Sequence, residues 1–335
     1  MNIVTHSYPR AALVGNPSDG YFGKTIAFVF NNFRAEVTLW DSNRLEILPN
    51  ERDKLVFASI DELVEDVRQY GYYGGVRLVK AAIKRFFEYC KVESIKIEKR
   101  NFTLRYETTI PYGLGLAGSS AIITACMKGL MQFYGISIPK PQLANLILSA
   151  EKDELQIEAG LQDRVVQVFQ GLVYMDFDKV FMEKRGYGIY EPLDIELLPN
   201  LYIAYSNNLA EGSEFTHNNL RERFNQGEGK TLNALTQCAE LTVQARKLLE
   251  MHHGIEIGAL LNRNFDLRRS ILKISDGNLR MVEAARSAGA SANFTGSGGA
   301  IIGTYNDDAM YESLKMRLST INVKVIKPEI ARISG

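Results

Sequence analysis

Two glycine-rich stretches carry the residues best suited to chemistry. The first is Pro111-Tyr112-Gly113-Leu114-Gly115-Leu116-Ala117-Gly118-Ser119-Ser120-Ala121. Its three glycines remove side chains, so that consecutive backbone N–H groups can turn inward on an anion. Ser119 and Ser120 then stand where a helix begins, adding hydroxyls able to touch a phosphate or a metal's shell. The second is Phe294-Thr295-Gly296-Ser297-Gly298-Gly299-Ala300, which runs directly into an apolar strand. Each alone reads equally well as a tight turn or a close approach of two backbones. Two anion-capable loops in different halves of one chain point to a phosphate-bearing ligand.

Two shorter patterns suggest other chemistry and lose on context. Gly113 to Gly118 spells G-x-G-x-x-G, but a dinucleotide fold then needs a second parallel strand ending in an acid about 20 residues on. The chain offers Ile136-Ser137-Ile138-Pro139-Lys140-Pro141 there, which is turn chemistry. Ser18-Asp19-Gly20-Tyr21-Phe22-Gly23-Lys24-Thr25 ends like a P-loop. It lacks the first glycine, and a strand rather than a helix follows Thr25.

The elements that must position these loops read as mixed α and β. Strands are expected at Ser7–Val14, Thr25–Phe30, Arg34–Trp40, Ile95–Glu98, Phe102–Tyr106, Gly171–Asp176, Leu201–Tyr205, Ala300–Gly303 and Asn322–Ile326. Helices are expected from about Gly75 to Lys91, from the glycine loop to Tyr134, and from Gln142 to about Glu158. Gly160 interrupts the last of these, and Gln162 to Phe169 resumes. Two or three more helices fill 231–288, and Ala309–Leu318 supplies another. The pattern restarts near Pro199, so the expected fold is two-domain α+β, with domains 1–198 and 199–335.

The 335 residues carry 39 Lys+Arg against 39 Asp+Glu, a formal charge of zero that disfavours nucleic acid as a partner. No apolar run approaches the roughly 18 residues of a membrane span. Met1 to His6 lacks the regions of a signal peptide, so a cytoplasmic location is expected. Cys90, Cys126 and Cys238 are too dispersed for a disulfide framework or zinc site, and the four histidines follow no ligand spacing.

Pro111–Ala121 resembles the central ATP-binding signature of the GHMP kinases, the superfamily of galactokinase, homoserine kinase, mevalonate kinase and phosphomevalonate kinase. Thr295–Ala300 is similar to its C-terminal glycine motif, and Arg10-Ala11-Ala12-Leu13-Val14-Gly15-Asn16-Pro17-Ser18-Asp19 to its N-terminal motif. Ala117 interrupts the usual Gly-Leu-Gly-Ser-Ser run. Asn16-Pro17-Ser18 replaces the Glu-His-Thr of galactokinases, which disfavours galactose. Asn-Pro-Ser-Asp, Tyr-Phe-Gly-Lys and Gly-Leu-Gln-Asp-Arg together look most like the glucuronokinase branch of sugar-1-kinases.

The resemblance implies an N-terminal domain like ribosomal protein S5 domain 2, a ferredoxin-like C-terminal domain, and ATP between them. It implies a nucleotide cradle of Pro111, Gly113, Leu114, Gly115, Leu116, Ala117, Gly118, Ser119 and Ser120, joined by Gly296, Ser297 and Gly298. Ser120 and Glu151 would hold Mg²⁺, with Ser119 on phosphate. Asp163 would accept the proton of a sugar hydroxyl, and Arg10 would keep Asp163 ionised and offset charge on the γ-phosphoryl. Asp19, Arg164 and Gly299 fall on the acceptor side, with Tyr21, Ser213 and His217 as further candidates. From residue type alone, Glu151 reads as a solvated helix residue, Asp163 as a helix cap, Arg10 as a surface ion pair and Asp19 as an Asx turn. The implied activity is ATP-dependent phosphorylation of a sugar's anomeric hydroxyl, with a uronic acid as acceptor. Heptose phosphate, fucose or mevalonate is the alternative acceptor, and a non-catalytic sugar sensor the alternative class. A uronate carboxylate wants a cation, for which Lys24, Arg164, Arg221 and Arg223 are all candidates.

Overall fold

The computed structural model describes residues 2–53, 55–70, 74–206 and 220–330. Ser213 and His217 lie outside the described residues. Packing groups the chain into two compact units that interleave in sequence. The first comprises Met1–Pro9, Phe33–Tyr112 and Gly118–Ala159; the second comprises Arg10–Asn32, Gly113–Ala117 and Gly160–Gly335. This grouping does not follow the boundary expected near residue 198. The reason is visible in the N-terminal run expected as one strand, Ser7–Val14. It breaks at Tyr8 and Pro9, so that β1 (Asn2–Ser7) and β2 (Arg10–Val14) enter different sheets.

In the first unit, β1 pairs antiparallel with β4 (Ala35–Ser42), and β4 with β6 (Asn101–Thr108). A short β5 (Glu46–Leu48) adds in parallel beside β6. Alternation in β4 sends Val37 and Leu39 inward. The helix Gly118–Tyr134 lies on this sheet, and every residue from Ser120 to Met127 is buried. Gly129 lets it come close, since a Cβ there would stand 3.3 Å from the Thr5 hydroxyl. That hydroxyl in turn donates to the Ala125 carbonyl at 2.7 Å. The helices Val76–Val92 and Lys140–Ser149 pack beside it.

The second unit holds two antiparallel sheets. One runs β2, β3 (Lys24–Val29), β7 (Leu172–Asp176), β8 (Ile189–Leu193). The other runs β10 (Asn293–Phe294), β11 (Ala300–Thr304), β9 (Leu201–Tyr205), β12 (Lys324–Ile326). They are joined at β2: Ala12 N–H donates to the Thr295 carbonyl at 2.9 Å, and the Asn293 side-chain amide to the Leu13 carbonyl at 3.2 Å. The helices Gly229–Glu250 and Ile257–Ile271 pack on β2 and β3 or on the strands beside them. Both units mix helices with sheets, so the α+β class expected from the pattern is the one found.

Two local departures matter for the site. Ile95–Glu98 forms no strand. The long helix expected from Gln142 to Glu158 ends at Ser149 and passes into a single wide π-type turn, Ala150–Glu154. Such turns recur at functional positions because they re-aim one side chain. Among the described residues, no helix is long and apolar enough to cross a membrane.

Candidate active site

Within the glycine loop, Gly113–Ala117 groups with the second unit, and Gly118 opens a helix of the first. Gly113 and Gly115 adopt φ of 70° and 61°, the left-handed region that glycine enters without penalty. Ala117 sits at φ 61° as well, where a Cβ costs about 1 kcal/mol. The residue that departs from the family run therefore keeps a glycine-like backbone. The Gln167 side-chain amide holds that turn by donating to the Ala117 carbonyl at 2.9 Å. Leu114 and Leu116 point into the core, whereas Tyr112 is exposed.

In the first unit, Ser119 and Ser120 start the helix and Glu151 projects from the π-type turn. The Ser119 hydroxyl donates to Glu151 Oε1 at 2.6 Å, and both Ser120 and Glu151 are fully buried. The solvated-residue reading of Glu151 is thereby removed. A buried carboxylate beside helix-start hydroxyls is an all-oxygen donor set, and it fits a hard cation that takes few protein ligands. The Ser119 hydroxyl, expected on phosphate, is thus also in contact with Glu151.

In the second unit, Arg10 opens β2 with its side chain buried. Its Nε donates to Asp163 Oδ1 at 2.6 Å, and its Nη1 to the carbonyls of Gly115 at 2.6 Å and Thr295 at 2.7 Å. One guanidinium thus ties the glycine loop, the second glycine motif and Asp163 together. It is no surface ion pair. Asp163 stands in the first turn of the helix Leu161–Phe169, which Gly160 allows to begin. Arg164 is buried; its Nη1 donates to the Gly160 carbonyl at 2.8 Å and lies 3.2 Å from Asp163 Oδ2.

The two glycine motifs touch within this unit. A Cβ on Gly296 would stand 2.2 Å from the Gly115 carbonyl oxygen and 2.8 Å from Arg10 Nη1. A Cβ on Gly115 would stand 2.7 Å from the Ser297 amide nitrogen. Gly299 is engaged by the fold: its N–H donates to the Asn278 side chain and its carbonyl accepts from the Ser206 N–H.

Asp19 lies half-buried in the short turn Ser18–Tyr21. Burial, and then the charge of Asp163, push its carboxyl up to about 6; Arg10, its own backbone and Arg268 oppose the rise. Lys24 pairs with Asp176 across β3 and β7.

Sequence reasoning missed Asn264 and Arg268. Arg268 Nη1 donates to Asn16 Oδ1 at 2.8 Å and to the Gly296 carbonyl at 2.7 Å, with Nη2 3.3 Å from the Ser297 carbonyl. Asn264 accepts from the Gly15 N–H at 2.6 Å and donates to the Asn16 carbonyl at 2.8 Å. Both side chains are buried. The signal was present: Ile257, Leu261, Asn264, Arg268 and Ile271 recur at three- and four-residue spacing, placing two polar groups on an inward face.

This arrangement has clear relatives. A chain described as probable glucuronokinase 2 of Arabidopsis thaliana is 46% identical over 303 residues, covering 88% of this chain and 82% of its own. Glucuronokinase 1 of the same plant is 43% identical over 302 residues, covering 88% and 83%. The solved galactokinase of Lactococcus lactis, complexed with galactose, superposes with a TM-score of 0.77 at 16% identity, over 98% of this chain and 93% of that one. The family model for the GHMP kinases N terminal domain matches residues 77–171. The chain belongs to the GHMP kinase family.

Two outcomes follow from the geometry. Gly296→Ala forces the two motifs apart, and urea unfolding should show a loss of about 2 kcal/mol. Asp19→Asn should stabilise the protein at neutral pH. An acid whose carboxyl is raised from 3.8 to about 6 on folding binds its proton more tightly in the folded state, so wild-type stability falls as pH climbs through that window. Melting curves should therefore show the variant above the wild type by a few degrees at about pH 7.5, with the gap closing toward about pH 4.

Proposed function

We propose that the protein is an ATP-dependent sugar kinase that transfers the γ-phosphoryl group to the anomeric hydroxyl of a uronic acid. The observation that carries the reading is the Arg10–Asp163 pair, held at 2.6 Å against carbonyls from both glycine motifs. It joins a carboxylate able to take a proton to loops suited to phosphate. The relatives named as glucuronokinases supply the acceptor class.

In this reading Asp163 accepts the hydroxyl proton while the sugar oxygen forms its bond to the γ-phosphorus. The bond from that phosphorus to the bridging oxygen breaks, and the electron pair leaves with ADP. Arg10 aims the carboxylate through Nε and places positive charge near the transferring group. The backbone from Gly113 to Ser120 receives the nucleotide phosphates, and Asp19 accepts from sugar hydroxyls. Ser119, Ser120 and Glu151 would hold Mg²⁺, which supplies neutralisation of phosphate charge when bound. A sensor that only binds sugar would have no need of Asp163 fastened in this way.

The test is a coupled assay for ADP release against a panel of uronic acids, aldoses, heptose phosphates and mevalonate, with the product's phosphate position read by phosphorus NMR. The expected result is preferred turnover of a uronic acid to its 1-phosphate. Asp163→Asn should lower kcat by about a hundredfold or more, the range of lost general-base catalysis. Unchanged turnover by that variant, or preference for a neutral acceptor, overturns the corresponding part of the reading.

A further inference from the structure

A uronic acid differs from its parent aldose by one carboxylate, so selectivity asks for a cation placed where that group lies. The second unit offers several cations near the acceptor-side residues, and most are already committed. Lys24 is neutralised by Asp176. Arg164 is buried and bound to Gly160 and Asp163. Arg223 donates to the Ile271 carbonyl and lies 3.5 Å from Glu228. Arg268 is buried against Asn16 and the second glycine motif. These four serve the fold or the catalytic pair.

Arg221 is different. It lies on the helical residues 220–225, which are anchored by Leu220 in an apolar cluster with Tyr21, Ala234, Leu235, Ile271 and Leu272. Phe224, one turn on, meets the Tyr21 ring at 4.9 Å. That anchoring carries the Arg221 guanidinium over the Tyr21 ring, 4.8 Å from its centre, while Nη1 donates to the Gly20 carbonyl at 3.2 Å. Gly20 immediately follows Asp19. Among the described residues, no carboxylate lies within ion-pair distance of Arg221, although its side chain is exposed. A planar fork steadied on one face by a ring and at one nitrogen by a carbonyl keeps further N–H donors for a planar anion.

We propose that Arg221 is the specificity residue that binds the acceptor's carboxylate, stacked on Tyr21 beside Asp19. The assignment rests on the uronic acid reading above. Tyr21 and Phe224 act as positioning residues for it, and no chemical step passes through any of the three. Because Arg221 is exposed, an aldose leaves it hydrated rather than buried and unpaired, so discrimination comes from the charge-assisted bond that the uronate gains.

The experiment compares the full chain with its Arg221→Gln and Arg221→Lys variants on one hexuronic acid and on the aldose of the same ring stereochemistry. Turnover is measured for both sugars, with equilibrium binding used for a sugar that is not turned over. Arg221→Gln should lower the uronate-to-aldose ratio of kcat/KM, or of affinity, by about 10- to 100-fold, the scale of a lost charge-assisted hydrogen bond. The change should fall mainly in KM, with Arg221→Lys intermediate because it keeps the charge and loses the fork. Equal losses on both sugars, or none on either, overturn the assignment while leaving the acceptor reading intact. A wild type that ignores uronic acids overturns the acceptor reading itself, and the assignment with it, before any variant is made. Should the Gln variant melt early, the Lys variant decides on the same ratio.

Discussion

The guanidinium of Arg10 is buried in the second unit with acceptors from three distant parts of the chain. Burying such a charge is costly unless its donors are met, and here Nε finds a carboxylate while Nη1 finds two carbonyls. Those three bonds fix where the glycine loop turns, where the second glycine motif returns and which way Asp163 points. Gly296 and Gly115 lack side chains at the point of contact, and any Cβ there would push the carbonyls away from the cation. Helix and strand propensities bring the segments into the same unit. The buried charge determines their relative placement to within a hydrogen bond.

A second group of charges is set against that one. Asp19 shares its surroundings with Asp163, Arg10 and Arg268, and the balance of burial and repulsion leaves its carboxyl near 6. The charge of Asp163 is thus part of what holds the Asp19 carboxyl above its ordinary range. Asp163 has Arg10 as a direct partner, whereas Asp19 feels the same cation only at a distance. Holding Asp19 there opposes folding at neutral pH, a strain that sites commonly carry.

Much of this was legible in the sequence where short spacing determines local structure. Gly160 announces the break before Asp163, the alternation of Val37 and Leu39 announces β4, and the buried run from Ser120 to Met127 announces the helix behind the loop. What was hidden depends on distant partners. Nothing at Glu151 itself signals that the helix widens into a π-type turn and buries the carboxylate against Ser119. The break at Tyr8 and Pro9 sends adjoining strands to different sheets, and no linker composition marks it. Arg268 and Asn264 follow a readable period, but their polarity disguises the inward face. Arg221 stood among four candidate cations until the partners of the others could be counted off.

The partners of Arg10 lie 105, 153 and 285 residues further along the chain. Synthesis therefore makes the arginine 285 residues ahead of its last acceptor, Thr295. Until then the cation has no closed cage, and β2 lacks the backbone that Ala12 donates to. The second unit must therefore mature after translation of its C-terminal segments rather than in step with the growing chain. A chain that stops between Ala159 and Thr295 would carry every residue of the first unit and still leave the Arg10 cage without its last acceptor.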